Sequence, residues 1–334
     1  MTPKPRRRRL RYSLRTLFVL VSVLCVWLGL WASRAQRQKR AVAWIASQGG
    51  SVHYDFEYAR PAEPDPSSVE VDGYQWIDPV HSDGEPIVPE LPAPKWLCDW
   101  IGIDFFADVV AVSFNHPLGE SERPPLADLP RLRYLTMVVG PGTDISNVVD
   151  LPELQSLAIW VSTESRAGQL SLANLETIGR LTSLRDLTLC GRLSPGDLRY
   201  VGRLTSLERL TINSQEVAEA GLEDLDGLVN LRRLTLAPDV TDACLARLRG
   251  LQRLESLAVS GRQLTEVGVA HLARFPALRE FEACARISPP GLEMLQRMPR
   301  LERALLSSHR KTESGLRKLN TARPKLRVID ADFQ

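Results

Sequence analysis

A frame of apolar residues, L-x-x-L-x-x-L-x-L, returns about every 23 residues through much of this 334-residue chain. It is clearest at Leu181-Leu184-Leu187-Leu189, Leu204-Leu207-Leu210-Ile212, Leu228-Leu231-Leu234-Leu236 and Leu251-Leu254-Leu257-Val259. Weaker copies extend it both ways, with first positions at 106, 129, 151, 181, 204, 228, 251, 275 and 298, and Arg323 in that slot of a tenth copy. No single copy can bury its own apolar face. The copies must stack side by side, and stacked copies of this length make a solenoid.

Each copy divides into two halves. The L-x-L end alternates apolar and polar, the pattern of a short strand with one buried face. Leu187 and Leu189 point inward, while Asp186, Thr188 and Cys190 point outward. The second half predicts a brief helix on the other side. In Val240-Thr241-Asp242-Ala243-Cys244-Leu245 the Thr stands where it can cap free backbone N–H groups. Leu264-Thr265, Ile287-Ser288-Pro289 and Leu193-Ser194-Pro195 repeat the device, with Pro suited to a first helical position.

These residues carry a resemblance. From about residue 96 to 334 the chain resembles the leucine-rich-repeat family, closest to its ribonuclease-inhibitor-like and cysteine-containing subclasses, and in particular bacterial membrane-anchored members. The resemblance implies an α/β fold: a horseshoe or arc with parallel strands on the concave face and short helices outside. It also implies an Asn or Cys after each strand that bonds the turn backbone. Here Arg192, Gln215, Asp239 and Arg262 hold that place.

Charge divides the chain unevenly. Residues 1–40 carry eleven of the 42 basic residues and no acid, which leaves 31 basic against 40 acidic beyond them, a net charge of −9. An acidic body disfavours nucleic acid as a partner, since phosphate binding needs a basic surface. Thr16 to Ser33 is an uncharged run of 18 residues. As a helix it spans about 27 Å, close to the thickness of a bilayer core. Trp27 and Trp31 stand near its far end, where indole rings favour the membrane interface. Seven basic residues precede the run and four follow it, so the positive-inside rule leaves residues 1–15 in the cytoplasm. The rival reading is a cleaved signal sequence with Ser33-Arg34-Ala35 as its site, which the length and the Trp-rich core disfavour.

The expected organisation is then a basic tail (1–15), a transmembrane helix (16–33), a juxtamembrane helix and strand (34–58), a Pro-rich acidic linker or surface loop (59–95) and a repeat domain (96–334). Arg34 to Gln48 can continue the membrane helix until Gly49-Gly50. Val52-Tyr54-Phe56-Tyr58 alternates as a strand. Trp96-Leu97-x-x-Trp100-Ile101 reads as a short helix sealing the first repeat, because a bare solenoid end exposes core.

The chain shows little chemistry. None of its five histidines has a ligand or nucleophile partner at a diagnostic spacing, and no phosphate loop, nucleophile elbow or zinc spacing is present. Cys190 and Cys284 share a strand position four repeats apart, roughly 19 Å at ~4.8 Å per strand, too far to bridge. Cys244 sits at a small-residue helix position and is expected to pack. No catalytic residue, cofactor, metal or small-molecule substrate is assigned.

Binding is the remaining class. The outward residues are mostly small and polar, but three patches differ. Tyr134 and Trp160 are aromatic, the type enriched in binding hot spots. Arg209 and Arg233 form a basic step, and Glu280 and Glu282 an acidic one. One copy is 30 residues long, and its extra seven residues fall around Ser162–Gly168, a loop that contains Arg166. The expectation is an anchored repeat protein, its solenoid on the extracytoplasmic (periplasmic) side, that binds a protein partner through Tyr134, Trp160 and this loop. An envelope scaffold without a discrete ligand is the second reading, and an enzyme or enzyme regulator the third.

Overall fold

The frame leucines of successive copies meet across one continuous sheet. The computed structural model describes residues 14–57, 91–119, 122–140, 142–162, 169–194, 196–214, 221–261, 264–284, 289–306 and 327–330. Eleven strands lie side by side in chain order: β1 (Ser51–Tyr54), β2 (Val109–Leu118), β3 (Tyr134–Val139), β4 (Ser156–Val161), β5 (Asp186–Cys190), β6 (Arg209–Asn213), β7 (Arg233–Ala237), β8 (Ser256–Ser260), β9 (Glu280–Cys284), β10 (Arg303–Leu306) and β11 (Arg327–Asp330). β2 to β11 are parallel, one strand per copy of the frame, and β1 closes the edge antiparallel to β2. This is a leucine-rich-repeat solenoid.

Its register follows the frame. Val112, Leu135, Leu157, Leu187, Leu210, Leu234, Leu257, Phe281 and Ala304 are successive neighbours. Leu132, Leu154, Leu184, Leu207, Leu231 and Leu254, one position earlier in the frame, are fully buried. Burying such a side chain contributes about 1.5–3 kcal/mol, so each copy is held by its neighbours. The last copy departs from the expected register. Ala304 pairs with Val328 rather than with Ile329. A one-residue slip exchanges the two faces of a strand, and a copy with Arg323 in place of its first leucine specifies register less strongly.

The opposite side carries α3 (Leu172–Ile178), α4 (Leu198–Val201), α5 (Asp242–Arg247), α6 (Glu266–His271) and α7 (Pro289–Arg297), to be numbered after two helices at the N-terminal end. At 126–128, 146–150 and 222–227 the copies make only 3-10 turns. Ser171 caps α3 and Thr265 caps α6. Thr241 and Cys244 cap α5 reciprocally, with the Thr241 N–H donating to Cys244 Sγ at 3.3 Å. Ser194 does not start α4 as expected. Its N–H donates to Asp197 Oδ2 at 2.7 Å, and the helix begins only after a left-handed turn at Gly196. The missing Asn or Cys after the strands is replaced piecemeal. Leu193 N–H donates to Ser214 Oγ at 3.1 Å, Asn174 Nδ2 to Thr143 O at 2.9 Å, and Val240 N–H to Ser260 O at 3.0 Å.

At the N-terminal end one helix, α1 (Leu14–Ser47), does two jobs. Every residue from Leu14 to Trp31 is exposed. The second half of the helix lies against the first repeat and buries Gln38, Ala41 and Ile45. Gln38 donates to Ala107 O at 2.8 Å and to Asp104 at 3.2 Å. Arg34 pairs with Asp108 at 2.6 Å, and Trp31 Nε1 donates to Phe105 O at 2.8 Å. Gly49, at φ +69°, ends the helix and turns the chain into β1. The strand expected to reach Tyr58 stops at Tyr54, where its register shifts and residues 55–57 turn. Tyr58 lies outside the described residues. Burial, and then the Asp104 carboxylate beside it, push the Tyr54 phenol pKa up.

The helix expected to seal the first repeat forms as α2 (Lys95–Ile101), but it is not the seal. Its one buried residue is Cys98, while Trp96 and Trp100 are 67% and 78% exposed. The cover is α1 with β1: β1 pairs with β2, and Trp44 of α1 packs against Phe114 of β2 with ring centroids 6.3 Å apart. β1 precedes the Pro-rich stretch 59–95 and α2 begins at its end; residues 58–90 lie outside the described residues.

Candidate interaction surface: the strand face

The outward side chains of β2 to β10 form three rows, because side chains of a strand share a face every second residue. The first row, at the strand starts, reads Tyr134, Ser156, Asp186, Arg209, Arg233, Ser256, Glu280, Arg303 in register. The middle row is small from β2 to β8 and carries Glu282 on β9 and Leu305 on β10. Its Ser113 and Thr136 are buried, and Thr188, Thr211 and Thr235 half-buried. In the third row Pro117, Val138, Trp160, Cys190 and Asn213 are successive partners. Its apolar part lies on β2 to β4 and gives way to Asn213 on β6. The accessible face is thus narrower than the sequence implies. Cys190, expected to point outward, is buried, and so is Ala111, the β2 neighbour of Tyr134.

The sequence joined Tyr134 and Trp160 into one patch, and the register separates them. Trp160 pairs with Val138, four residues along from Tyr134. At ~3.3 Å per residue and one strand spacing, the two are about 14 Å apart. Both are half-buried. They stand at opposite ends of adjacent strands, in different rows. Arg166 lies outside the described residues. The loop that holds it leaves β4 directly after Trp160 and Val161, and the chain returns at Gln169, which bridges to Arg192.

The charged residues are brought together as expected in sequence order, with partners that spacing alone did not supply. Arg209 and Arg233 are register neighbours. Like charges so placed repel, and Arg209 is turned to Asp186 in a two-pronged pair, with Nη2–Oδ2 at 2.9 Å. Glu280 pairs with Arg303 at 3.5 Å. Burial, and then the neighbouring Glu280 charge, push the Glu282 carboxyl pKa up. The row carries a positive step on β6 and β7 and a negative one on β9.

A second charged line was missed. The residue after the second frame leucine alternates in sign over six copies: Arg185, Glu208, Arg232, Glu255, Arg279, Glu302. Each N–H in this line after the first donates to the previous carbonyl at 2.7–2.8 Å. The side chains pair as Arg185–Glu208 (3.6 Å), Arg232–Glu255 (2.9 Å) and Arg279–Glu302 (3.4 Å). Reading down one column of the aligned copies would have found it. Exposed pairs contribute only about 0.2–1 kcal/mol each. Their effect is on the edge of the strand face, which they leave charged but nearly neutral.

Among the described residues, no group of three or more His, Cys, Asp or Glu side chains could hold a metal ion. The arrangement offers shape, charge and a few aromatic side chains for recognition.

No protein-family model matches the chain, and no curated protein matches it. Among solved structures it is similar to internalin C2 of Listeria monocytogenes, with 19% identity over 68% of this chain and 86% of that one and a TM-score of 0.38. It is similar to internalin InlF of the same organism, with 17% identity over 69% of this chain and 91% of that one and a TM-score of 0.35. It is also similar to TLR13 in its complex with ssRNA13, with 20% identity over 61% of this chain, 30% of that chain and a TM-score of 0.37. These are leucine-rich-repeat proteins.

Proposed function

We propose that this protein is held in a membrane by the first half of α1 and recognises a protein partner through the strand face of its solenoid. The observation that carries the reading is the first row of that face. Charges of both signs are fixed there on a rigid sheet, with the positive step of Arg209 and Arg233 separated from the negative Glu280 by Ser256. Such a pattern selects a partner of complementary charge order. The net negative body favours a protein over a nucleic acid. The finer subclass reading, ribonuclease-inhibitor-like, draws support from α5, α6 and α7, where the second half is helical, capped by Thr241 in α5 and by Thr265 in α6.

Membrane anchoring draws support from the exposure of every residue from Leu14 to Trp31 in a helix of 34 residues. The Ser33-Arg34-Ala35 site of the signal-sequence reading lies inside that unbroken helix. The charge flanks favour a cytoplasmic N-terminus and repeats on the far side. The protein is read as a binding module and not an enzyme, with no cofactor and no small-molecule substrate. Crosslinking in native membranes tests the reading. Charge reversals Arg209→Glu and Arg233→Glu are expected to abolish a saturable crosslink, and Trp160→Ala to weaken it. A crosslink unchanged by all three would leave only the scaffold reading. Protease accessibility of a C-terminal tag from outside the membrane tests the orientation.

A further inference from the structure

α2 is built inside out for a soluble helix. Counting about 100° per residue from buried Cys98, Trp96 and Trp100 stand at about 160° and 200°, pointing away from the repeat that Cys98 faces. Leu97, at about 260°, flanks this side, Ile101, at about 300°, turns back towards the Cys98 side, and Lys95 and Asp99 fall on the other flank. Trp96, Trp100 and Ile101 are 67%, 78% and 42% exposed, and Leu91, just upstream, is 45% exposed. Each indole would bury about 150–250 Å² if covered.

The position of this helix says what covers it. Trp31, at the end of the apolar run, donates from Nε1 to Phe105 O at 2.8 Å and packs on the Phe105 ring at 6.0 Å. If residues 16–33 cross a bilayer, Trp31 lies at the interface and Phe105 lies with it. Phe105 closes the 3-10 turn Ile103–Phe105, which follows α2 after Gly102 alone and packs against Phe106. Trp100 is five residues from Phe105, within roughly 17 Å even for extended chain. Half the difference between a ~30 Å core and a ~40–45 Å bilayer makes the headgroup zone of one leaflet about 5–8 Å deep, and the short chain that joins Phe105 to Trp100 starts inside it.

We infer that α2 is an interfacial helix that lays Trp96 and Trp100 into the lipid headgroup region, giving the solenoid a second contact with the membrane beside α1. Indole rings prefer this zone, with an apolar body in the acyl boundary and an N–H in water. Two contacts on one membrane set the tilt of the first repeat, and with it the direction in which the strand face looks. The inference rests on the reading of residues 16–33 as a membrane span.

The test uses the full chain, labelled with 5-fluorotryptophan, in vesicles of phosphatidylcholine and phosphatidylglycerol. Resonances are assigned with Trp27→Phe, Trp96→Phe and Trp100→Phe. Loss of the Trp96 and Trp100 signals with doxyl-labelled lipid, and their survival with a water-soluble gadolinium chelate, is the expected result. The inference is overturned if the chelate broadens them and the lipid label does not, or if neither reagent does, which would place a protein surface over α2. Trp27 separates the two levels of the argument. With Trp27 lipid-broadened, a negative result at α2 refutes the interfacial helix alone. With Trp27 reached by the chelate, the anchor reading itself fails.

Discussion

Ile45→Ala measures whether α1 is the cap of the solenoid. Ile45 is fully buried, and its surroundings are tight: a Cβ added at Gly50 would stand 2.7 Å from Ile45 Cγ2 and 3.1 Å from Ser113 O. The substitution removes three buried carbons, about 2.4 kcal/mol of transfer free energy at ~0.8 kcal/mol each. A backbone-walled site cannot collapse around the loss, so a cavity cost is added and the total is about 2–5 kcal/mol. In a solenoid each copy contacts only its neighbours, so this loss should stay local. Hydrogen exchange of the full chain in detergent micelles reads it amide by amide. At 1.4 kcal/mol per tenfold, protection of β2 should fall by roughly 30-fold at the low end and several thousand-fold at the high end. The effect should decline through β3 and β4 and be absent by β8. Unchanged protection in β2 would refute the cap. An equal loss from β2 to β9 would refute the nearest-neighbour reasoning.

Asp226 Oδ1 accepts the backbone N–H groups of Arg249 and Gly250, each at 2.9 Å, so Asp226→Ala should cost about 1.5–3 kcal/mol by urea denaturation, with Asp226→Asn retaining part of it. A Cβ at Gly250 would stand 2.2 Å from Asp226 O, a backbone atom of the preceding repeat, so Gly250→Ala should spread the helix side there and lower the thermal midpoint more than Gly196→Ala, whose Cβ meets open space and whose cost is only the strain of an L residue at φ +82°. Glu282 has a folded pKa above its ordinary value, so the folded state holds its proton more tightly and loses stability as pH rises through the carboxylate range towards that raised value. Glu282→Gln should therefore stabilise at neutral pH and be without effect in acid below that range, as read by denaturation midpoints at the two pH values.

The sheet was legible because leucine is both the frame and the core: Leu187, Leu210, Leu234 and Leu257 are a sequence period and a register line at once. Where the period is carried by something else, legibility fails. Arg323 left the last strand free to slip by one residue. Trp96 and Trp100 look like core by composition, yet only a neighbour's position decides whether an apolar face is covered by protein, and here α1 reached the edge first. Tyr134 and Trp160 share a face by parity, but their separation depends on which residues pair, and Trp160 pairs with Val138. The clasp from Asp226 to the amides of the next repeat joins residues 23 and 24 apart, and no local rule marks a carboxylate for that role.

The two ends of this molecule act on different properties. Trp31, Arg34, Gln38, Ala41 and Ile45 join α1 to the first repeat by hydrogen bonds, an ion pair and packing within one unbroken helix. The proposed anchor would thereby transmit its attitude to the sheet. The charges proposed to select a partner begin at β5, three strands from β2 or about 14 Å at ~4.8 Å per strand, and continue to β10. Because copies are coupled only to their neighbours, a change at the cap alters how the first repeats hold together and face the membrane, and a charge reversal at Arg233 alters recognition and leaves the cap intact. A variant combining Ile45→Ala with Arg233→Glu should therefore show exchange and crosslinking defects that add. Any departure from additivity would mean that the solenoid carries strain from its anchor to its binding face.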